Sequence, residues 1–223
     1  PARRLFRLAG AQVVPIPLTA EGLDTGQLPG TARLAYVTPA HQAPLGMTLS
    51  VSHRLALLDW AARADAWVVE DDYDSEYNYN SAPLAALKSL DGGDRVIYCG
   101  SFNKNLFPGL RVGFMVVPTT LRPALLRTLQ LSGQSVGVTD QLGLVEFLGS
   151  GAFVRHLRAS RQAYQARRDA LLACLPHGCT VSGQQAGLHF VLWLPAGADE
   201  ADFCARAAAV GLTLQPLGTF CVE

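Results

Sequence analysis

A chain of 223 residues, 49% hydrophobic and only 16% charged, is long and apolar enough to bury a core, which excludes an intrinsically disordered segment. Lysine plus arginine equals aspartate plus glutamate at 18 each, so the summed charge offers no general attraction to a polyanion such as DNA. Five cysteines without a C-x-x-C pair suggest neither a zinc cage nor a disulfide framework, and read as reduced intracellular thiols.

In chain order, the opening PARRLFRLAG lacks the apolar stretch of a signal peptide. Residues 34–38, LAYVT, read as a buried strand that ends in the loop PAHQAPLG. SVSHRLALLDWAARAD follows as a helix capped by Ser50 or Ser52, with Leu55, Leu58 and Ala62 sharing a face. AWVVE (66–70), RVIYC (95–99) and VGFMVVP (112–118) are three further strands. Apolar runs without alternation, interrupted by a helix, predict a largely parallel α/β sheet covered by helices.

Beyond residue 119 helical periodicity dominates, through LRPALLRTLQLS, TDQLGLVEFLGS and FVRHLRASRQAYQARRDALLACL. A strand GLHFVLWLP (187–195), a helix from Asp199 and a short strand LTLQP complete the order. The expected organisation is a large domain over 1–152 and a smaller α+β unit over 153–223, both partial. The arginines at 155, 158, 161, 167 and 168 are expected on a solvated helix face. No run approaches the roughly 18 apolar residues of a membrane span, so a cytoplasmic protein without membrane contact is expected. A start inside a structured segment and an end on GTFCVE read as a piece of something longer.

In an open α/β sheet, functional groups collect beyond the carboxyl ends of the strands. Asp71 directly follows AWVVE there, and Ser101 and Lys104 directly follow RVIYC and Gly100. EDDYDSE packs five carboxylates into residues 70–76, and their mutual repulsion calls for a facing cation. Its spacing is not that of a calcium loop, and no metal is expected. Walker, dinucleotide, zinc-hydrolase and nucleophile-elbow motifs are all missing from the sequence. An acid, a tyrosine, a serine, a lysine and an arginine at adjoining strand ends match what pyridoxal 5'-phosphate (PLP) needs. Its aldehyde takes a neutral amine, its ring nitrogen a carboxylate, and its phosphate a hydroxyl and a guanidinium. A lysine at its reference pKa of about 10.4 is nearly all protonated at neutral pH, so burial and a cation such as Arg111 are expected to activate Lys104.

EDDYDSEY followed by SFNKNLFPGLRVGF, with YVTPAHQAPLG and ARRLFRLAGAQVVPIPL upstream, resembles the aminotransferase-like domain of the MocR/GabR family of bacterial transcription regulators. That resemblance implies the fold-type I PLP-dependent transferase scaffold and a homodimer. It implies Asp71 on the pyridine nitrogen, Tyr73 at the phenolic oxygen, Ser101 and Arg111 on the phosphate, and Lys104 as the Schiff-base lysine. A small amino-group effector would be bound as an external aldimine, with regulation rather than turnover the outcome; a working class I aminotransferase is the alternative. DNA would be read only through an N-terminal domain that residues 1–223 do not contain. The sequence departs from the family at Asn103, where serine is usual, at Leu45 in the turn that normally carries a small hydroxyl residue, and at Ala43, where aminotransferases carry asparagine. His41 or Gln42 is the candidate to replace that asparagine's hydrogen bond.

Overall fold

The structure, a computed structural model, describes residues 2–79 and 85–221. In chain order it contains α1 (Ala2–Leu8), β1 (Leu18–Thr19), β2 (Gly22–Leu23), β3 (Leu34–Val37), α2 (Val51–Arg63), β4 (Trp67–Asp72), α3 (Leu87–Leu90), β5 (Val96–Ser101) and β6 (Gly113–Val116). These are followed by α4 (Arg122–Ser132), α5 (Val138–Gly149), α6 (Ala152–Ala173), β7 (Thr180–Ser182), β8 (Val191–Trp193) and α7 (Glu200–Ala209).

The central sheet has the order β3-β4-β5-β6. Its first three strands are parallel and β6 is antiparallel, with Ser101 opposite Gly113. This is the mostly parallel α/β sheet with helices that the apolar runs imply. Parallel pairing of β3 with β4 needs a crossover, and α2 supplies it. Ser50, one of the two candidate caps, starts this helix by accepting from the His53 backbone N–H.

The buried face of α2 carries Arg54, Leu57, Trp60 and Ala61. Ala64 continues the i, i+3, i+4, i+7 stripe, and the apolar members of this face join Val37, Leu49, Ala66, Val68, Leu87 and Val96 in one core. Leu55, expected to share the inward face, is 50% exposed. The reason is Arg54, whose guanidinium donates to the carbonyls of Leu49, Ala85 and Pro39 at 2.8–2.9 Å and rotates its own face of the helix inward.

Two other strands differ from expectation. The 187–195 run is extended only at β8, paired antiparallel with β7, because Gly187 turns at φ +71 and His189 is held by the Pro44 carbonyl. LTLQP (212–216) has no strand partner among the described residues and passes into a 3-10 turn at Leu217–Phe220. Among the described residues, no helix is long and apolar enough to cross a membrane.

Candidate functional site

β4 and β5 run parallel with Asp71 opposite Cys99 and Asp72 opposite Gly100, so the acidic run and the loop that carries Lys104 leave the sheet at the same end. Ser101 closes β5, and Phe102 to Leu106 form a turn held by the Leu106 N–H on the Phe102 carbonyl. A 3-10 turn over Pro108–Leu110 then delivers Arg111 in the left-handed region at φ 55, just before β6.

Each carboxylate of EDDYDSE has a separate partner, which is how five acids share seven residues. Buried Glu70 accepts from the backbone N–H of Leu87 and of Lys88 at 2.7 and 2.8 Å. Burial pushes its carboxyl above the ordinary range, against those two bonds and the nearby Arg54 guanidinium. Asp71 accepts a very short hydrogen bond from the Tyr36 hydroxyl. Asp72 accepts from the hydroxyls of Ser75 and Tyr98 at 2.7 and 2.8 Å. Asp74 accepts from the Leu188 N–H and lies 3.0 Å from His41 Nδ1, and Glu76 accepts from Asn105 Nδ2 at 2.7 Å. The cation expected opposite this run is met by the buried Arg54 guanidinium near Glu70, while hydroxyl, amide and imidazole groups carry the rest.

Of the residues singled out in the sequence, Asp71, Tyr73 and Ser101 are half-buried, whereas Lys104 and Arg111 are exposed. The burial expected to activate Lys104 is not found: the lysine sits exposed on a turn outside the core. Among the described residues, neither the Lys104 amine nor the Arg111 guanidinium has a hydrogen-bond or ion-pair partner. Lys104 is still near enough to His189 to join burial and His41 in lowering that imidazole's pKa. Ser101 Oγ accepts from the Asn103 N–H at 3.1 Å and keeps its own hydrogen for another acceptor. The Tyr73 hydroxyl donates to the His41 carbonyl at 2.7 Å. Burial first, then Asp74 and Asp71, raise its pKa well above the ordinary phenol value.

The departures from the family pattern also have physical roles. Asn103 Oδ1 accepts from the Val112 N–H at 3.1 Å, tying the lysine loop to the chain entering β6. Gln42 folds back on its own loop, with Oε1 accepting from the Leu45 N–H and Nε2 donating to the Ala43 carbonyl. His41 turns inward to Asp74 and the Gly183 carbonyl. The sequence gives no sign that His41, Asp74 and His189 meet, since they lie in three loops far apart along the chain and Asp74 is one of five acids in its run.

Two arginines expected on a solvated face of α6 are structural ties. Arg161 donates twice to the Glu76 carbonyl. Arg168 donates to the Gln184 carbonyl and stacks 4.5 Å over Tyr79.

The donor set fits PLP in kind: an acid at one strand end, a hydroxyl with its hydrogen to spare, and two cations without counter-ions. The fit is incomplete at Tyr73, whose single hydrogen is already committed to His41.

The family model of aminotransferase class I and II matches residues 2–216. The HTH-type transcriptional regulator YhdI of Bacillus subtilis (strain 168) is 37% identical over 227 residues, aligning 100% of this chain with 48% of that protein. The probable rhizopine catabolism regulatory protein MocR of Rhizobium meliloti is 38% identical over 215 residues, 94% of this chain and 43% of that one. The chain therefore spans about half the length of these relatives. Among solved structures, the α-aminoadipate aminotransferase LysN of Thermus thermophilus, complexed with N-(5'-phosphopyridoxyl)-L-leucine, has a TM-score of 0.87 at 29% identity, covering 98% of this chain and 59% of that one. The chain belongs to the aminotransferase class I and II family, and within it resembles the aminotransferase-like domain of MocR/GabR-type regulators.

Proposed function

We propose that this chain is the effector-sensing part of a MocR/GabR-type transcription regulator, which holds PLP and recognises a small compound bearing an amino group. The observation that carries this reading is the placement of Asp71 and Lys104 at the carboxyl ends of the adjacent parallel strands β4 and β5, the acid next to the last residue of its strand and the lysine just past the end of its own. The regulators YhdI and MocR, at 37% and 38% identity, support regulation over catalysis. On this proposal the DNA-reading part lies outside residues 1–223, and two copies of the protein form the working dimer.

PLP, when bound, supplies an aldehyde that condenses with amines and a ring that withdraws electrons. Lys104 would provide the amine, and its freedom from ion pairs leaves it able to turn toward the site. Asp71 would hold the proton on the pyridine nitrogen. The Tyr36 hydroxyl already donates to this carboxylate and keeps it aimed. Ser101 and Arg111 would take the phosphate, the serine as neutral donor and the arginine as a two-pronged cation. Tyr73 would reach the phenolic oxygen by giving up its bond to the His41 carbonyl. An effector could bias the regulator only by binding one conformation more tightly than another.

The test is reconstitution of the protein with PLP followed by borohydride reduction and peptide mapping. The expected result is one covalent label at Lys104 and none in Lys104→Ala. A label elsewhere, or none in the wild type, overturns the assignment. A second reading, a turning-over aminotransferase, is favoured by the 29% identity to aromatic-amino-acid aminotransferase 1 of Thermococcus litoralis over 96% of this chain. Incubation with amino acid and 2-oxo acid separates the two. Product beyond one equivalent, at a steady rate that Lys104→Ala abolishes, would establish the enzyme and sink the regulator-only proposal.

A further inference from the structure

Three loops that leave different strands converge on a buried cluster. His41 comes from the loop after β3, Asp74 from the loop after β4, and His189 from the segment entering β8. One ligand-capable atom from each lies within 4.8 Å of the others, the only such grouping among the described residues. His41 and Asp74 are each 1% exposed and His189 is half-buried, so His189 is the most accessible of the three.

The hydrogen bonds around the cluster orient it inward. His41 sets Nε2 3.1 Å from the Gly183 carbonyl and Nδ1 3.0 Å from Asp74 Oδ2. His189 sets Nε2 3.1 Å from the Pro44 carbonyl, and its Nδ1 has no hydrogen-bond partner among the described residues. Histidines that ligate metals donate their outer N–H to a carbonyl or carboxylate in this way, which fixes the tautomer and presents the inner nitrogen as a lone pair. Asp74 Oδ2 is itself oriented by the Leu188 N–H at 3.0 Å. Two donors that each stand about 2.1 Å from one tetrahedral ion are about 3.4 Å apart, so the 3.0 Å between His41 Nδ1 and Asp74 Oδ2 has to widen only slightly to admit one.

We propose that His41, Asp74 and His189 bind one first-row divalent cation, with zinc the ion that suits the set. Two imidazoles and one carboxylate favour zinc, whereas magnesium and calcium take oxygen ligands. On binding, the proton between His41 Nδ1 and Asp74 leaves to solvent, and the ion takes its place. The fourth position falls to a water, with the Tyr73 hydroxyl, 3.5 Å from His41 Nδ1, beside it. Such an ion would clamp the loops after β3 and β4 to the segment that enters β8. This inference does not depend on the PLP proposal: Asp74 and His189 have no part in it, and His41, a candidate to replace the asparagine's hydrogen bond, faces Asp74 and the Gly183 carbonyl.

The alternative for the same geometry is a metal-free imidazolium, with both His41 nitrogens protonated toward their two acceptors. Zinc titration of the chelator-stripped protein against a chromophoric competitor decides between them. One equivalent is expected to bind tightly and to raise the melting temperature as free zinc increases. His189→Ala, a change at the half-buried edge, is expected to weaken binding by at least about 100-fold. Asp74→Asn is expected to do the same where it folds. Cobalt substitution is expected to give ligand-field bands without thiolate charge transfer, and alkylation of the five cysteines should leave binding unchanged. Absence of tight uptake by the wild type overturns the proposal. So does uptake that His189→Ala leaves intact, or uptake that cysteine alkylation removes.

Discussion

Asp71 owes its readiness to Tyr36: the phenol donates into the carboxylate, and the negative charge in turn helps burial raise the tyrosine's pKa. A hydrogen bond to a charged group contributes about 1.5–3 kcal/mol, so Asp71→Asn should weaken PLP binding roughly 10- to 100-fold. Tyr36→Phe should weaken it less, since the carboxylate survives. Titration of each variant by cofactor absorbance checks the order, and equal affinities would remove Asp71 from the site. Glu76 allows a pH test of the same neighbourhood. Burial, its largest cause, lifts this carboxyl above the ordinary range, so the folded state holds the proton more readily than the unfolded chain. The stabilisation is complete below the unfolded pKa and is lost as pH rises through the raised folded value. Glu76→Gln keeps an acceptor for Asn105 Nδ2 and brings a donor near Asn105 Oδ1, the buried side-chain acceptor without a partner among the described residues. The variant should therefore be more stable than wild type at neutral pH and converge with it in acid, read as urea midpoints across pH. Parallel profiles would show that Glu76 does not titrate with folding.

At the scale of elements, α2 and the strands beside it show what could be read in advance. Strands at 34–38, 66–70 and 95–99 were legible because continuous apolar runs bounded by turns leave few other folds, and Asp71 and Lys104 were legible because they follow those runs. β6 reads the same way, yet it pairs antiparallel and all four residues are exposed. Strand direction is set by the connection, here the short 3-10 turn after the lysine loop, and not by composition. The meeting of Asp74 with the Leu188 N–H across 114 residues leaves no periodic trace at all. Nor does the burial of Arg54, which was hidden because an arginine at the start of an amphipathic helix ordinarily reads as solvated. That residue gives the element's own prediction. Arg54→Met would leave the carbonyls of Leu49, Ala85 and Pro39 without their donors and Glu70 without its nearby cation, at a cost of about 3–5 kcal/mol. Leu55→Ala, on the exposed side of α2, should cost within about 0.5 kcal/mol. Urea unfolding of the pair checks the assignment of faces, and a reversal of the two values would mean that the helix packs by its other face.

For the whole molecule, surface area is the revealing quantity. A compact monomer of 23.8 kDa is expected to expose roughly 9900 Å², whereas this chain exposes 14092 Å². The difference, roughly 4200 Å², is as large as the total surface buried in an obligate dimer interface. Much of it is apolar. Leu126, Leu129 and Leu131 on α4 and Val138, Leu142, Val145 and Leu148 on α5 are all between 40% and 81% exposed. α5 is almost uncharged, carrying only Asp140 and Glu146, so it lacks the polar outer face of a solvated helix. A face of this kind leaves water when a second surface is offered. The 223-residue chain should accordingly self-associate at micromolar concentration, seen in sedimentation velocity as a boundary that moves faster as protein is added. Leu142→Glu combined with Val145→Glu should return it toward a monomer without loss of helical signal, because neither side chain packs the core around Leu57 and Trp60. A single slow boundary for the wild type at every concentration would mean that these helices are solvated as they stand, and the proposed dimer would lose its physical support.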